Sequence, residues 1–242
     1  MELEAKKIKK IKIEEISKEH FGDRVCLDFN SLLGENEGLL VGNYSRGLFL
    51  INNEKAPEAQ KYEIEERPFR VNAGVVSAYV YMPNGKTKYL SELRTGDKVL
   101  IINPKGHARE VEITRLKIET RPMTLIRGTS IYDKEIPLET ERDLTYFKTY
   151  REIFKWYDPH TMDPILKVQD VESYIGKKLH VKMDISTYVQ TAETVRLVKA
   201  PEEKPISITD LELGMEVYAY IINPTLRGRH FGTEYEGFCL EV

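Results

Sequence analysis

Two short runs gather residues able to hold an anion. Arg67-Pro68-Phe69-Arg70-Val71-Asn72-Ala73-Gly74 sets two arginines and an amide beside turn formers. Arg227-Gly228-Arg229-His230-Phe231-Gly232 sets two more arginines and a histidine between glycines. The planar guanidinium pairs bidentately with carboxylate or phosphate, and glycine lets backbone come close to a ligand. The chemistry this fits is recognition of a small acidic substrate; arginines in solvated loops are the plainer account. Lys86, Lys88, Lys117 and Arg121 enlarge the basic inventory. Glu54, after the apolar run Leu48 to Ile51, has the chemistry of an acid, a base or a metal ligand. Asp158, His160 and Asp163 carry ligand atoms too, but the prolines among them make turn formation the simpler explanation. There is no GxGxxG after a strand, no Walker loop, no HExxH and no GxSxG.

The elements that must position these residues read as mainly β. Arg24 to Phe29 is a short strand, Gly38 to Leu50 a hairpin broken at Asn43 to Arg46, and Val75 to Tyr81 a further β-rich run. Ile8, Ile11 and Ile16 fit a helix, whereas Ile11 and Ile13 between charged residues fit a strand. An internal similarity lays Leu90-Ser91-Glu92-Leu93-Arg94-Thr95-Gly96-Asp97-Lys98-Val99 over Ile208-Thr209-Asp210-Leu211-Glu212-Leu213-Gly214-Met215-Glu216-Val217. Both lead on to Ile-Ile-Asn-Pro, at Ile101 and Ile221. Each copy reads as a glycine turn feeding a strand, the kind of unit from which small barrels are built. Between them, Thr140 and Asp143 have capping-box spacing ahead of a stripe of Leu144, Phe147, Tyr150, Phe154 and Tyr157. A second short helix is expected from Val168 to Ile175. The fold class expected is mainly β (α+β): barrel-like β units with an inserted helical segment. The divisions fall at 1–135, 136–188 and 189–242.

Composition narrows the function classes. The 242 residues are 41% hydrophobic and 31% charged, enough for a real core. No apolar run approaches a membrane span, and mean hydropathy is -0.43. A net charge of -3 argues against a nucleic-acid footprint over the whole surface. Two cysteines make neither a disulfide framework nor a four-cysteine metal site. The expectation is a soluble cytoplasmic protein with neither nucleic acid nor membrane as partner.

A further set of segments occurs in a definite order: Gly22-Asp23-Arg24-Val25-Cys26, Glu37-Gly38-Leu39-Leu40-Val41-Gly42, residues 67–74, and Lys86-Thr87-Lys88-Tyr89-Leu90-Ser91-Glu92-Leu93. Lys117-Ile118-Glu119, Arg121-Pro122, Ala192-Glu193-Thr194-Val195-Arg196-Leu197-Val198 and Arg229-His230-Phe231-Gly232 follow. Together they resemble the C-terminal half of the archaeal-type (type II) 3-dehydroquinate synthase family, as a divergent member. The resemblance implies an oxidoreductase and cyclase of aromatic amino-acid biosynthesis, acting on an amino-dideoxy-heptulosonate by NAD-dependent oxidative deamination and ring closure. Under it, Arg67, Arg70, Asn72, Lys86, Arg121 and Arg229 bind a small acidic amino-keto sugar. His230 or Glu54 moves a proton, and Lys117 stabilises developing charge or forms an imine. NAD is implied by the resemblance alone, since no dinucleotide fingerprint marks a site, and a divalent metal has no assigned residues. A separate chain supplying the family's N-terminal domain is an expected partner.

The departures point to alternatives. Asn52-Asn53-Glu54 stands where the family pattern has His-Ser-Glu, Ser77 replaces a second histidine, and Phe29-Asn30 replaces Thr-Cys. An amide hydrogen-bonds but does not titrate near neutrality. One alternative is a diverged cyclase akin to the aminohydroxybenzoate synthases, which close a ring without net redox chemistry. Another is a non-catalytic assembly subunit docking through Tyr146, Phe147, Tyr150, Phe154, Trp156 and Tyr157.

Overall fold

The computed structural model describes residues 8–45, 47–55, 66–135, 155–158, 161, 178–221, 227–230 and 233–238. The strands are β1 (Ile8–Phe29), β2 (Gly38–Tyr44), β3 (Gly47–Asn52), β4 (Arg70–Val75), β5 (Tyr79–Tyr81), β6 (Thr87–Tyr89), β7 (Lys98–Ile102) and β8 (Ala108–Glu135). They continue with β9 (Lys155–Tyr157), β10 (Lys178–Gln190), β11 (Arg196–Lys199), β12 (Lys204–Ser207), β13 (Glu216–Ile221), β14 (Arg227–His230) and β15 (Thr233–Phe238). The one helical turn among the described residues is a 3-10 turn at Leu90–Glu92.

At the opening, alternation overrides the helical spacing. Ile11 and Ile13 are fully buried while Lys12 between them is exposed, the period of a strand with one face in the core. The run from Val75 to Tyr81 is interrupted: Ala78 N–H donates to Val75 O, and the turn separates β4 from β5.

The inserted helical segment is corrected. Tyr157, the last residue of the expected aromatic stripe, lies in β9 with Trp156. The chain there pairs as a strand with β10, placing Trp156 opposite Val181 and Tyr157 opposite His180. Aromatic residues suit a pleated surface as well as a helical one, so cross-strand partners decide between the two. Leu144 to Phe154 and Val168 to Ile175 lie outside the described residues. Residues 129–184 form a compact unit of their own, containing this β9–β10 pairing.

In the other unit, residues 1–128 and 185–242, the pairings close a ring: β3 on β13, β13 on β1, β1 on β8, β8 on β7, β7 on β2 and β2 back on β3. Closure removes the unpaired sheet edges that an open sheet exposes. Leu40, Leu48, Leu50, Leu100, Ile102, Val198 and Tyr220 form one buried cluster. Burying each such side chain stabilises by roughly 1.5–3 kcal/mol.

The ring has an internal two-fold pattern. β7 residues 98–102 stand opposite 112–108 of β8, as β13 residues 216–220 stand opposite 12–8 of β1. Gly96 N–H donates to Ile113 O and Ile113 N–H to Asp97 O; Gly214 N–H donates to Ile13 O and Ile13 N–H to Met215 O. Gly96 and Gly214 adopt φ of 91° and 87°, which non-glycine residues enter only with strain. The repeated turn seen in the sequence is therefore one three-dimensional motif used twice. Its register places Ile101 with Ala219 rather than with Ile221, so the second Ile-Ile-Asn-Pro lies two residues further along its strand. The order β12-β11-β3-β13-β1-β8-β7-β2-β5-β6 reads the same from either end once β1 is exchanged with β8, β2 with β3, β5 with β11, β6 with β12 and β7 with β13.

Candidate functional site

Side chains alternate along a strand, so Val25, Leu27 and Phe29 of β1 share one side and Arg24, Cys26 and Asp28 the other. Across from them, β4 sets Asn72 opposite Cys26 and Arg70 opposite Asp28. A register shift between Val25 and Cys26 leaves Ala73 unpaired, a bulge of the kind that re-aims a neighbouring side chain. Gly74 belongs to this bend, at φ 144°; a Cβ there would lie 2.9 Å from Tyr188 O. On the far side of β1, strand β8 contributes Arg115, Lys117, Glu119 and Arg121 at the same alternate spacing. The ion pairs Arg24–Glu119 and Arg115–Asp28 join β8 to β1, and Arg70–Asp28 joins β4 to β1. One polar face thus runs across β4, β1 and β8.

Its buried end is built around Glu54. The residue bridges to Arg67, its N–H donates to Arg70 O at 3.0 Å, and it is 5% exposed. Asn72 Nδ2 donates to Glu54 Oε1 at 2.6 Å and lies 3.5 Å from Thr194 Oγ1. Arg67 Nη1 stands 3.7 Å from Glu54 Oε2, too far for a hydrogen bond. Glu54 Oε2, Asn72 Oδ1 and Asn52 Nδ2 are buried without hydrogen-bond partners. Burial pushes the Glu54 carboxyl above its ordinary range; Arg70, Arg67 and Arg24 oppose this, and burial wins. Since Oε1 accepts from Asn72, Oε2 is the oxygen left to carry a proton. Cys26, close by, is raised to about 11, chiefly by burial, so it is a thiol and not a nucleophilic thiolate near neutrality.

The middle of the face is ionic. Arg70 donates Nε to Asp28 Oδ1 at 2.6 Å and Nη2 to Oδ2 at 2.9 Å, and Arg115 Nε adds a bond to Oδ2 at 2.6 Å. Burial pushes the Asp28 carboxyl upward, but its bonds to Arg70 and Arg115 prevail and hold it below the usual range. At the exposed end, Glu119 receives Arg24 at 2.8 Å, Arg121 at 3.0 Å and Lys117 at 3.3 Å.

The residues singled out in the sequence are distributed as follows. Glu54, Arg67, Arg70 and Asn72 come together at the buried end, with Arg70 already engaged by Asp28. Lys117 and Arg121 join the same face through Glu119. Lys86 is exposed in the turn between β5 and β6, and Lys88 pairs with Asp97. Arg229 and His230 stand on β14, opposite Glu234 and Thr233; their side chains lie outside the described ones. Ser77 is exposed in the turn between β4 and β5. Asn53 is fully buried, and its Nδ2 donates to Gly34 O at 2.8 Å and to Glu37 O at 2.6 Å, fastening the loop between β1 and β2. Arg109 fastens the same loop by pairing both Glu37 oxygens. Asp158 accepts from Thr161 N–H in a turn, while His160 and Asp163 lie outside the described residues.

Sequence reading did not assign roles to Arg24, Cys26, Asp28, Arg115, Glu119 or Thr194. A signal existed for most of them. Polar residues at alternate positions of a recognised strand, 24-26-28, and again at 115-117-119-121, mark one face of a sheet.

No group of three or more His, Cys, Asp or Glu suited to a metal ion occurs among the described residues. Nor do they contain a strand–glycine loop–helix unit of the kind that cradles a dinucleotide pyrophosphate, so NAD is given no residues and no step is drawn through it. No helix among them is long and apolar enough to cross a membrane.

Fold and face together define a β-barrel domain with a polar, partly desolvated site on one side of a sheet. The chain belongs to the 3-dehydroquinate synthase II family, matching the description of its C-terminal domain over residues 10–140 and 164–242. It is 40% identical over 231 residues to a 3-dehydroquinate synthase of Methanopyrus kandleri, covering 96% of this chain and 44% of that protein. It is 38% identical to a 3-dehydroquinate synthase homolog of Aquifex aeolicus, over 96% of this chain and 53% of the relative. It is also 38% identical to a 3-dehydroquinate synthase of Methanocaldococcus jannaschii, over 91% of this chain and 45% of the relative. The chain thus spans about half the length of the curated relatives it matches. No solved structure matches it.

Proposed function

We propose that this chain performs 3-dehydroquinate synthase chemistry of the type II kind, alone or with a partner supplying the other half of its relatives' length. The substrate is an acidic amino-keto sugar, and the product forms by oxidative deamination and ring closure; the oxidant this requires, NAD by the family resemblance, would be held by residues other than those of this face. The observation that carries the reading is Glu54: a buried carboxyl, held by Asn72 through one oxygen, with the other oxygen facing Arg67 at 3.7 Å and accepting no hydrogen bond. A carboxyl raised by burial exchanges a proton beside a carbonyl more readily near neutrality than an ordinary one. Asn72 orients it, while Asn52 Nδ2 and Asn72 Oδ1 offer one donor and one acceptor to substrate oxygens.

A second reading, ring closure without net redox chemistry, is favoured by Asn52. Its amide occupies a position where the family pattern has an imidazole, which leaves Glu54 to move the proton.

Both are tested by incubating the folded chain with the amino-dideoxy-heptulosonate, with and without NAD, and with and without the family's N-terminal half in trans. NAD-dependent 3-dehydroquinate is expected by mass spectrometry. Glu54→Gln is expected to lower turnover by roughly 100-fold or more. Wild-type turnover in Glu54→Gln would overturn the assignment. Cyclised product that needs no NAD would favour the second reading.

A further inference from the structure

The guanidinium of Arg24 is used on one nitrogen only. Elsewhere in this domain an arginine meets a carboxylate with its whole side-on edge: Arg70 gives Nε and Nη2 to both oxygens of Asp28, and Arg109 gives the same pair to both oxygens of Glu37. Arg24 gives Nη2 to Glu119 Oε2 at 2.8 Å, while its Nε is buried with no partner. Arg24 itself is 6% exposed, so the unfilled donor cannot be repaired by ordinary surface water at no cost. The reason lies in Glu119. Its Oε1 is taken by Arg121 at 3.0 Å, and its Oε2 is shared between Arg24 and Lys117, at 3.3 Å from the lysine. Three cations converge on one carboxylate, and the arrangement is one oxygen short.

We propose that this end of the β1–β8 face binds an oxyanion, a carboxylate or a phosphate, whose oxygen fills Arg24 Nε with Lys117 and Arg121 as flanking cations. Glu119 is then the internal anion that keeps the three cations gathered and competes with the ligand. Its carboxyl lies below the usual range, Lys117 being the first cause, so it remains ionised and able to compete. The assignment stands on the geometry of β1 and β8; that the oxyanion is the acidic end of a synthase substrate rests on the reading above.

The test titrates inorganic phosphate and malonate separately into the full chain by calorimetry, with ionic strength held constant by chloride. Saturable binding of at least one probe is expected. Phosphate alone assigns a phosphate site, and malonate alone assigns a carboxylate site. Lys117→Ala is expected to weaken binding by about two- to fivefold, the scale of a solvent-exposed ion pair. Glu119→Gln is expected to tighten binding, because the cations lose their internal anion. A merely structural role for Glu119 would loosen it. Arg24→Lys removes the unfilled Nε and should abolish binding; if melting shows that it does not fold, the other two variants decide. No saturable binding in wild type and Glu119→Gln, or affinities unchanged across Lys117→Ala and Glu119→Gln, would overturn the proposal. Anion binding with no turnover overturns the synthase reading and leaves this one standing. Turnover without anion binding does the reverse.

Discussion

At the scale of single residues, Glu54 ties the site to stability. Its folded carboxyl is raised, so the native state holds a proton at pH values where the unfolded chain has released it. The contribution is present below the ordinary glutamate range near 4.5 and is lost as pH rises through the folded pKa. Glu54→Gln should therefore flatten the stability curve across that window. Denaturant melts at several pH values measure it, and parallel curves for variant and wild type would show that Glu54 is not desolvated. The ion-paired residues show why site reading from sequence stops where it does. Arg70 and Asp28 are 42 positions apart, Arg115 and Asp28 are 87, and Arg24 and Glu119 are 95. Nothing local marks such partners. Glu54, Arg70 and Asn72 drew notice through their own neighbours, but that Asp28 fills the Arg70 fork emerges only from the register of β1 and β4.

At the scale of elements, the glycine turns were legible because a positive φ leaves a residue-type signature. The strand from Arg24 and the hairpin after Gly38 were legible from their apolar runs. Tyr157, the end of the aromatic stripe, falls in a strand instead of the expected helix, because spacing alone does not decide a short segment whose strand partner, β10, lies more than twenty residues on. The turn motif makes a paired prediction. A Cβ at Gly96 or at Gly214 would meet nothing within 4 Å, so alanine there carries backbone strain without a clash. Gly96→Ala and Gly214→Ala should each cost about 1–2 kcal/mol. Equal shifts in denaturant midpoint are expected; a large difference between them would show that the two turns are not equivalent.

At the scale of the molecule, the ring is closed by pairing the start of β1 with β13, residues 8–12 against 220–216. Contacts so distant in sequence slow folding, because chain entropy is lost before they form. Deleting residues 1–13 removes that stave together with buried Ile11 and Ile13, about 3–6 kcal/mol of burial against a total stability of roughly 5–15. The expected outcome is loss of a cooperative thermal transition by circular dichroism, and a sharp wild-type-like melt would show that the ring is dispensable. The two-fold pattern has a topological consequence. β1 and β5–β7 are matched by β8 and β11–β13, while β2 and β3 exchange with each other inside one hairpin of the first half; the first strand of each copy is zipped to the last strand of its sister. Neither copy closes the ring alone: a chain cut between β7 and β8 leaves the start of β1 without β13 and β7 without β8, so the two halves are knitted together by their end strands.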